Sequence, residues 1–220
     1  MKTRPSEIER GSMAIIEAEL RERGITLPEE NAAVILRCIH ASADFDYAGN
    51  LCFTPDAVAR GLAALRAGTT VVTDTNMALA GLSKPGLERL GASARCFMAE
   101  EEIARAARER GTTRAAAAFA YAAESCPGAI LAVGNAPTAL FTIAEQIEQG
   151  LRPALIVAAP VGFVNVVEGK EHIWETCLSH KVPCIAAMGR KGGSSIAAAI
   201  LNALIYTAAD MLAPEKRGWN

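Results

Sequence analysis

The sequence predicts an α/β fold in three layers, with a mostly parallel central sheet and helices on both faces. Three strand–loop–helix units follow one another in the second half of the chain, and their strands are apolar runs at 129–133, 155–159 and 184–188. Such runs are typical of buried parallel strands, and alternation of strands with helices favours parallel connections. At 220 residues, the chain is expected to form a single domain, residues 1–220, with a large core.

Composition argues against several classes of protein. Hydrophobic residues make up 51% of the chain and aromatic residues only 5%, so we expect a core of Ala, Val, Ile and Leu. The net charge of −2 argues against a general nucleic-acid binder. No uncharged apolar run reaches the ~18 residues of a membrane-spanning helix. No apolar signal core follows Met1, so we expect a cytoplasmic protein.

The sequence contains no pattern for a metal or a cofactor. Its six cysteines are scattered and form no C-x-x-C pair, so we expect reduced core thiols rather than disulfides or zinc ligands. An H-x-x-E-H motif ending at His172 would need a histidine where Glu168 stands. Walker A, dinucleotide-binding and G-x-S-x-G motifs are also missing. We therefore expect neither a bound metal nor a cofactor.

The first 67 residues contain three predicted helices. Ser6 and Glu9 have the spacing of a capping box, which predicts a first helix from there to about Arg23. A second helix is predicted to open at Pro28, and a third spans about 54–67. The buried stripe of the second helix is expected to contain Val34, Ile35, Cys38 and Ile39.

Two further segments have a predicted structure. A strand is expected at 95–98, before a charged helix. The last residues, 214–220, carry no regular pattern and are expected to fray.

His40 lies near the C-terminal end of the second predicted helix, off its buried stripe. The helix dipole at this end favours the imidazolium, and Asp44 or Asp46 could favour it further. A histidine that titrates near neutrality can donate or accept a proton under physiological conditions. The alternative is a surface histidine paired with an aspartate, and this segment alone favours that alternative.

Polar residues follow several predicted strands at the point where each strand ends. The cluster 74–77 follows a short β-branched strand, and the loops 134–138, 160–165 and 189–195 follow the three later strands. Open α/β sheets bind ligands at the carboxyl ends of their strands, so we expect the three loops to line one crevice. Capping of the next helix is the alternative reading of the first cluster.

The loop 189–195 combines three glycines with two hydroxyls and two cations, Arg190 and Lys191. Glycine lets the backbone approach a ligand closely, and the N-terminus of the next helix offers free N–H groups and a positive dipole end. An anion could therefore bind here. An ordinary βα turn whose cations face water is an equal alternative.

Two more polar residues suggest a ligand near these loops. Arg114 lies in the first turn of an alanine-rich helix, where a cation opposes the dipole unless an anion is close. Asn135 begins the loop after the clearest interior strand. Together with the backbone amides and small apolar residues, these side chains suit a ligand with several carboxylates and a broad apolar body.

Six stretches in order resemble the precorrin-8 methylmutase family of cobalamin biosynthesis, and they span nearly the whole chain. They read I-H-A-S-A-D-F-D (39–46), T-D-T-N-M-A-L-A-G (73–81), G-T-T-R-A-A-A-A (111–118), G-N-A-P-T-A-L-F (134–141), P-V-G-F-V-N-V-V-E-G-K-E (160–171) and G-R-K-G-G-S-S-I-A-A-A-I-L-N-A-L (189–204). The forms A-D-F-D, T-D-T-N-M-A-L and G-R-K-G-G-S resemble the cobalt-precorrin-8 branch more than the aerobic precorrin-8X branch. The chain departs from the family at Ala115, where serine is usual, and at 163–170, where F-V-G-A-A-E-S-K is usual.

The resemblance implies an isomerase that moves a methyl group from C11 to C12 of a corrinoid ring, without a methyl donor or a redox cofactor. The product would be cobyrinic acid, or hydrogenobyrinic acid in the aerobic branch. In this family a histidine is taken to protonate the substrate, and the resemblance implies this role for His40. Substrate binding is implied for Ser12, Thr75, Met77, Arg114, Asn135, Ala136, Thr138, Val161, Gly162, Arg190, Gly192, Gly193 and Ser194.

The resemblance also implies partners. The ligand would be a corrinoid polycarboxylate, the protein would form a homodimer with sites near the subunit interface, and product could pass to neighbouring enzymes of the pathway. Two alternatives stay open from the residues themselves. One is a phosphate-binding α/β enzyme that uses the glycine loop, and the other is a corrinoid-binding protein without catalytic activity.

Overall fold

The computed structural model describes residues 4–217. Within these residues the chain forms eleven α-helices and six β-strands. The helices are α1 (Pro5–Glu22), α2 (Glu29–Ser42), α3 (Tyr47–Asn50), α4 (Ala57–Arg66), α5 (Asn76–Ala80), α6 (Lys84–Arg89), α7 (Glu101–Glu109), α8 (Arg114–Ser125), α9 (Pro137–Glu148), α10 (Val166–His180) and α11 (Ser194–Ala208). The strands are β1 (Leu51–Phe53), β2 (Thr70–Thr73), β3 (Ser93–Arg95), β4 (Ile130–Val133), β5 (Leu155–Ala158) and β6 (Cys184–Ala187). Two short 3₁₀ helices are Phe97–Ala99 and Pro214–Arg217.

The six strands form one sheet in the order β1-β6-β5-β4-β2-β3. Only β1 is antiparallel to its neighbour, and the other four pairings are parallel. Every residue of β4, β5 and β6 is buried, as expected for strands covered on both faces. The predicted three-layer, mostly parallel α/β fold is confirmed.

Each face of the sheet carries its own hydrophobic core. Ile130 and Ala132 of β4 face a core formed mainly with α1, α2, α4 and α11. Leu131 and Val133, the alternate residues of the same strand, face a second core formed with α7, α8, α9 and α10. This alternation follows from the two-residue period of a strand. All six cysteines have free thiols. None of the helices in residues 4–217 is both long enough and apolar enough to cross a membrane.

Several predicted boundaries in the first half of the chain were wrong. Helix α1 has Arg4 as its N-cap without a side-chain cap, because Pro5 occupies the first helical position. Ser6 is therefore a buried residue of the first turn rather than the cap. The edge strand β1 was not predicted, since three residues give no readable period. The strand expected at 95–98 lies earlier, and a 3₁₀ helix follows it.

Residues 214–217 form a 3₁₀ helix held by a buried ion pair, so the fraying predicted for this part of 214–220 was wrong. The Arg217 guanidinium donates to the Glu9 carboxylate at 2.7 Å, and Arg37 donates to the same oxygen at 2.8 Å. Arg217 also stacks over the Tyr206 ring, with its guanidinium carbon 4.6 Å from the ring centroid. Residues 218–220 lie outside the described part of the chain. The Glu9 side chain is only 5% exposed, so the ion pair joins α1 to the C-terminal 3₁₀ helix away from solvent.

Two opposing influences act on the pKa of the Glu9 carboxyl group. Burial raises the pKa of this carboxyl group, but the hydrogen bonds and charges of Arg217 and Arg37 outweigh burial and hold the pKa below its usual value. A lowered pKa in the folded state means that the ionised carboxylate stabilises the fold. This stabilisation is present above the pKa of the unfolded chain and is lost as pH falls through the folded value.

We expect Glu9→Gln to lower the free energy of unfolding by about 2–4 kcal/mol at pH 7, because two buried guanidinium groups lose their counter-charge. Urea unfolding at pH 7 and in acid would measure this effect, and the gap between variant and wild type should shrink in acid. Glu17→Gln, on the exposed side of the same helix, is the control and should be close to neutral. Equal stabilities of the two variants at pH 7 would contradict the role of the ion pair.

Candidate active site

The loops 134–138, 160–165 and 189–195 meet where β4, β5 and β6 end. The Gly193 N–H donates to the Ala159 carbonyl at 2.8 Å, and the Gly162 N–H donates to the Arg190 carbonyl at 3.3 Å. Gly134 lies so close to the start of α11 that a Cβ atom on it would be 2.8 Å from Ser194 Cα. The three loops therefore form one continuous surface around the N-terminus of α11.

Asp74 fixes the loop after β4. Its buried carboxylate accepts the N–H groups of Gly134, Asn135 and Ala136 at 2.7–2.8 Å. Burial raises the pKa of Asp74, and the three amide donors act against this shift. With its backbone held in this way, Asn135 exposes its side chain to solvent. The sequence interpretation considered Asp74 as a helix cap and missed this role.

Thr75 joins the loop after β2 to α11. Its hydroxyl oxygen accepts the Ala78 N–H and so caps α5, and it lies 2.7 Å from the Ser194 hydroxyl. Within residues 4–217, the N–H groups of Ser194 and Ser195 in the first turn of α11 have no acceptor. Two hydroxyls and two free amides thus lie together at the positive end of a helix dipole.

Gly192 and Gly193 serve the packing of the loop. Gly192 has φ +158°, and a Cβ atom on it would lie 2.3 Å from the Ala159 carbonyl oxygen. Only glycine permits this approach to the end of β5. The Gly193 N–H is already bonded to the Ala159 carbonyl, so it is not available to an anion.

The two cations of the glycine loop have different environments. Lys191 Nζ donates to Asp44 Oδ2 at 2.7 Å and to Asp46 Oδ2 at 2.5 Å. These hydrogen bonds, led by the one to Asp44, raise the pKa of Lys191. Arg190 is exposed, and its guanidinium carbon lies 5.5 Å from the centroid of the Phe163 ring. Lys191 therefore attaches the end of α2 to the loop, whereas Arg190 faces solvent.

His40 is half-buried in the last turn of α2, one turn before Asp44. Burial lowers its pKa and the charge of Arg37 lowers it further, while Glu9 acts in the opposite direction. The expectation that Asp44 or Asp46 would favour the imidazolium was wrong, because both carboxylates bind Lys191 instead. In the free protein the imidazolium is therefore harder to form than in an ordinary histidine.

Apolar side chains are unusually exposed around these loops. Met77 is 72% exposed, Phe163 is 83% exposed and Val164 is 76% exposed. Val161, at the start of the same loop, is also exposed. Exposed apolar residues that adjoin one another mark surfaces that bind something.

Arg114 approaches the loop after β4 from the neighbouring helix. Thr113, the N-cap of α8, has its hydroxyl 2.8 Å from the Thr138 hydroxyl in the first turn of α9. The two helix N-termini are therefore adjacent, and exposed Arg114 begins one of them.

The structure groups most of the residues predicted to bind substrate. Those within or directly beside the loops at the strand ends are Thr75, Met77, Asn135, Ala136, Thr138, Val161, Gly162, Arg190, Gly192, Gly193 and Ser194. Ser12 is separate, because its hydroxyl donates to the Ile8 carbonyl of its own helix at 2.9 Å. No other hydrogen bond of its side chain occurs within residues 4–217.

Two kinds of functional residue were missed from the sequence. Asp74 holds a loop through backbone amides, and its position directly after a strand was the available signal. Lys170 is fully buried beneath the glycine loop, and its position in an otherwise buried stripe of α10 could have indicated this. In the described ranges, no three His, Cys, Asp or Glu side chains are grouped so as to hold a metal ion.

We expect Gly192→Ala to lower the free energy of unfolding by about 3 kcal/mol or more, because the added methyl group meets two carbonyl oxygens at a backbone angle that suits only glycine. Gly189→Ala is the matched control: its φ is also positive, +72°, but nothing lies within 4 Å of the added Cβ. Thermal and urea unfolding would compare the two. If the two variants proved equally stable, the close contact with β5 would not be the reason for glycine at 192.

Comparison with known proteins agrees with this geometry. A sequence model of the precorrin-8X methylmutase family matches residues 7–207. The cobalt-precorrin-8 methylmutase of Salmonella typhimurium is 41% identical over 210 residues, covering 92% of this chain and 95% of that protein. The precorrin-8X methylmutase of Pseudomonas aeruginosa is 41% identical over 200 residues, covering 90% and 93%. The crystal structure of the Thermus thermophilus precorrin-8x methyl mutase has a TM-score of 0.84 and 42% identity, and covers 93% of this chain and 96% of that one. The chain described here therefore belongs to the precorrin-8X methylmutase family.

Proposed function

We propose that the protein is a cobalt-precorrin-8 methylmutase, an isomerase that moves a methyl group from C11 to C12 of the corrinoid ring and yields cobyrinic acid. The observation that carries this proposal is the surface at the strand ends. It combines exposed apolar side chains with an exposed arginine and with backbone amides that have no acceptor within residues 4–217. A corrinoid is complementary to this surface. Its broad ring matches the apolar side chains, and its peripheral carboxylates match the arginine and the amides.

The polar groups divide into two clusters that suit separate carboxylates. One cluster contains Arg190 with the free N–H groups of Ser194 and Ser195. The other contains Arg114 and the exposed amide of Asn135, near the first turns of α8 and α9. Met77 and Phe163 supply apolar area for the ring face. Recognition of a large rigid ligand at several points fixes its orientation, which an intramolecular rearrangement requires.

His40 is proposed as the general acid that protonates the ring and lowers the barrier to methyl migration. Burial and Arg37 disfavour the imidazolium in the free protein. A bound polycarboxylate brings negative charge towards this region and favours the imidazolium. We therefore expect substrate binding to raise the pKa of His40 and to load it with the proton that it donates.

A second subunit is part of the proposal. Phe163 and Val164 are exposed beside the site, and such side chains are usually covered in the working form of a protein. The family resemblance implies a homodimer whose sites lie near the interface, and these side chains fit that arrangement. We also propose that the protein acts in the cytoplasm and passes its product to neighbouring enzymes of the pathway.

The branch of the pathway is a separate choice. The motifs A-D-F-D (43–46), T-D-T-N-M-A-L (73–79) and G-R-K-G-G-S (189–194) favour a substrate that carries cobalt. The metal-free substrate of the aerobic branch is the second candidate, because the Pseudomonas aeruginosa relative is as similar as the Salmonella typhimurium one.

Incubation with the C11-methylated precursor tests the activity and the branch together. We expect the visible spectrum to change to that of the C12-methylated product with either form, and kcat/KM to be higher for the cobalt-containing precursor. A preference for the metal-free precursor would select the aerobic branch. Binding of product without any conversion of precursor would identify a corrinoid-binding protein and reject the enzyme.

We expect His40→Ala to reduce kcat by ~100- to 10,000-fold while product affinity changes little, because general acids typically contribute that range. His180→Ala, at the end of α10, is the control and should retain full activity. For the wild type, activity should fall as pH rises, since the imidazolium is the active form. The fall in kcat/KM should lie below the ordinary histidine pKa of about 6.5, and the fall in kcat should lie at higher pH.

Near-normal turnover by His40→Ala, together with a flat pH profile, would mean that positioning alone drives the reaction. His40 would then be a structural residue of α2.

A further inference from the structure

Lys170 is a buried lysine with no carboxylate partner in the described residues. It lies on α10, its side chain is 0% exposed, and burial lowers its pKa to about 8. Nζ donates to the Gly189 carbonyl and to the Lys191 carbonyl, each at 2.8 Å. Lysine is almost never fully buried unless it is paired, so two backbone carbonyls are an unusual set of partners.

These two hydrogen bonds orient the glycine loop. The carbonyl and N–H of a trans peptide point in opposite directions. Because the carbonyls of Gly189 and Lys191 point towards Nζ, the N–H groups of Arg190 and Gly192 point away from it. Neither of these N–H groups has an acceptor within residues 4–217. Within residues 4–217, the loop thus presents two N–H donors without acceptors, both facing away from the lysine.

The support beneath the loop is rigid. Lys170 follows Gly169, where a Cβ atom would lie 3.3 Å from the Phe141 ring of α9. The turn of α10 that carries the lysine is therefore packed directly against its neighbour. In the same loop, the Lys191 side chain donates hydrogen bonds to Asp44 and Asp46.

We propose that Lys170 is a positioning residue for the methylmutase reaction: it holds the peptide groups of the glycine loop so that the N–H groups of Arg190 and Gly192 face the ligand and donate to peripheral carboxylate oxygens of the corrinoid. This inference rests on the proposed function. Lys170 itself does not touch the substrate, because it is enclosed beneath the loop. Its effect is on ground-state binding, since a peripheral carboxylate lies away from the migrating methyl group.

Lys170→Met keeps the length of the side chain and removes its donors. We expect KM and the dissociation constant of the product to rise ~10- to 100-fold, with kcat within about 3-fold of the wild type, because charge-assisted hydrogen bonds that set the loop are lost. Lys181→Met, which changes an exposed lysine just after α10, is the control and should match the wild type. A lower kcat with unchanged KM, or unchanged binding in a folded Lys170→Met, would overturn the proposal.

A measurement on the wild-type protein covers the case in which Lys170→Met does not fold. Amide hydrogen exchange with and without product should show new protection of the Arg190 and Gly192 N–H groups and none of the Lys191 N–H. Product binding without protection at 190 and 192 would overturn the carboxylate assignment. If the wild type bound no corrinoid, the proposed function would fail. The positioning role would then be decided by the amide shifts of residues 189–192 in ligand-free Lys170→Met, which should differ from those of the wild type.

Discussion

The site depends on one constraint, the close approach of three loops to the first turn of α11. Gly134 and Gly192 leave no room for a Cβ atom against Ser194 and the end of β5. Asp74 then satisfies three amides of the loop that passes over this contact. With these groups in place, the loop backbone at the strand ends is held by buried side chains and close contacts. Such a surface changes little when a ligand binds, because its supports are already formed.

Charge at the site is controlled by partners distant in the sequence. Lys191 is neutralised by two aspartates from the end of α2, and Glu9 lies between two arginines. Within residues 4–217, these pairs leave Arg190 and Arg114 as exposed cations near the loops without a carboxylate partner. They also leave His40 among more positive than negative charge until an anionic ligand arrives. A polycarboxylate therefore meets a surface whose free charge is opposite to its own, on a protein with net charge −2.

The sequence predicted the interior of the fold better than its edges. Strands β4, β5 and β6 are continuous apolar runs, and the loops that follow them lie together because parallel strands end at one edge. Strand β1 has three residues and is recognised only by its pairing with β6. From the sequence, Asp44 could pair with His40 or with a distant residue. In the structure it pairs with Lys191, which is 147 positions away. Lys170 was missed for the same reason, since its acceptors belong to a loop 19 and 21 residues further on.

The ion pair between Glu9 and Arg217 places the beginning and the end of the described chain side by side. Arg217 stacks on Tyr206, which is twelve residues along α11 from Ser194, or about 18 Å at 1.5 Å per residue. Glu9 and Arg217 therefore lie towards the opposite end of α11 from the strand-end loops. Circular permutation through a short linker at this point should preserve the fold.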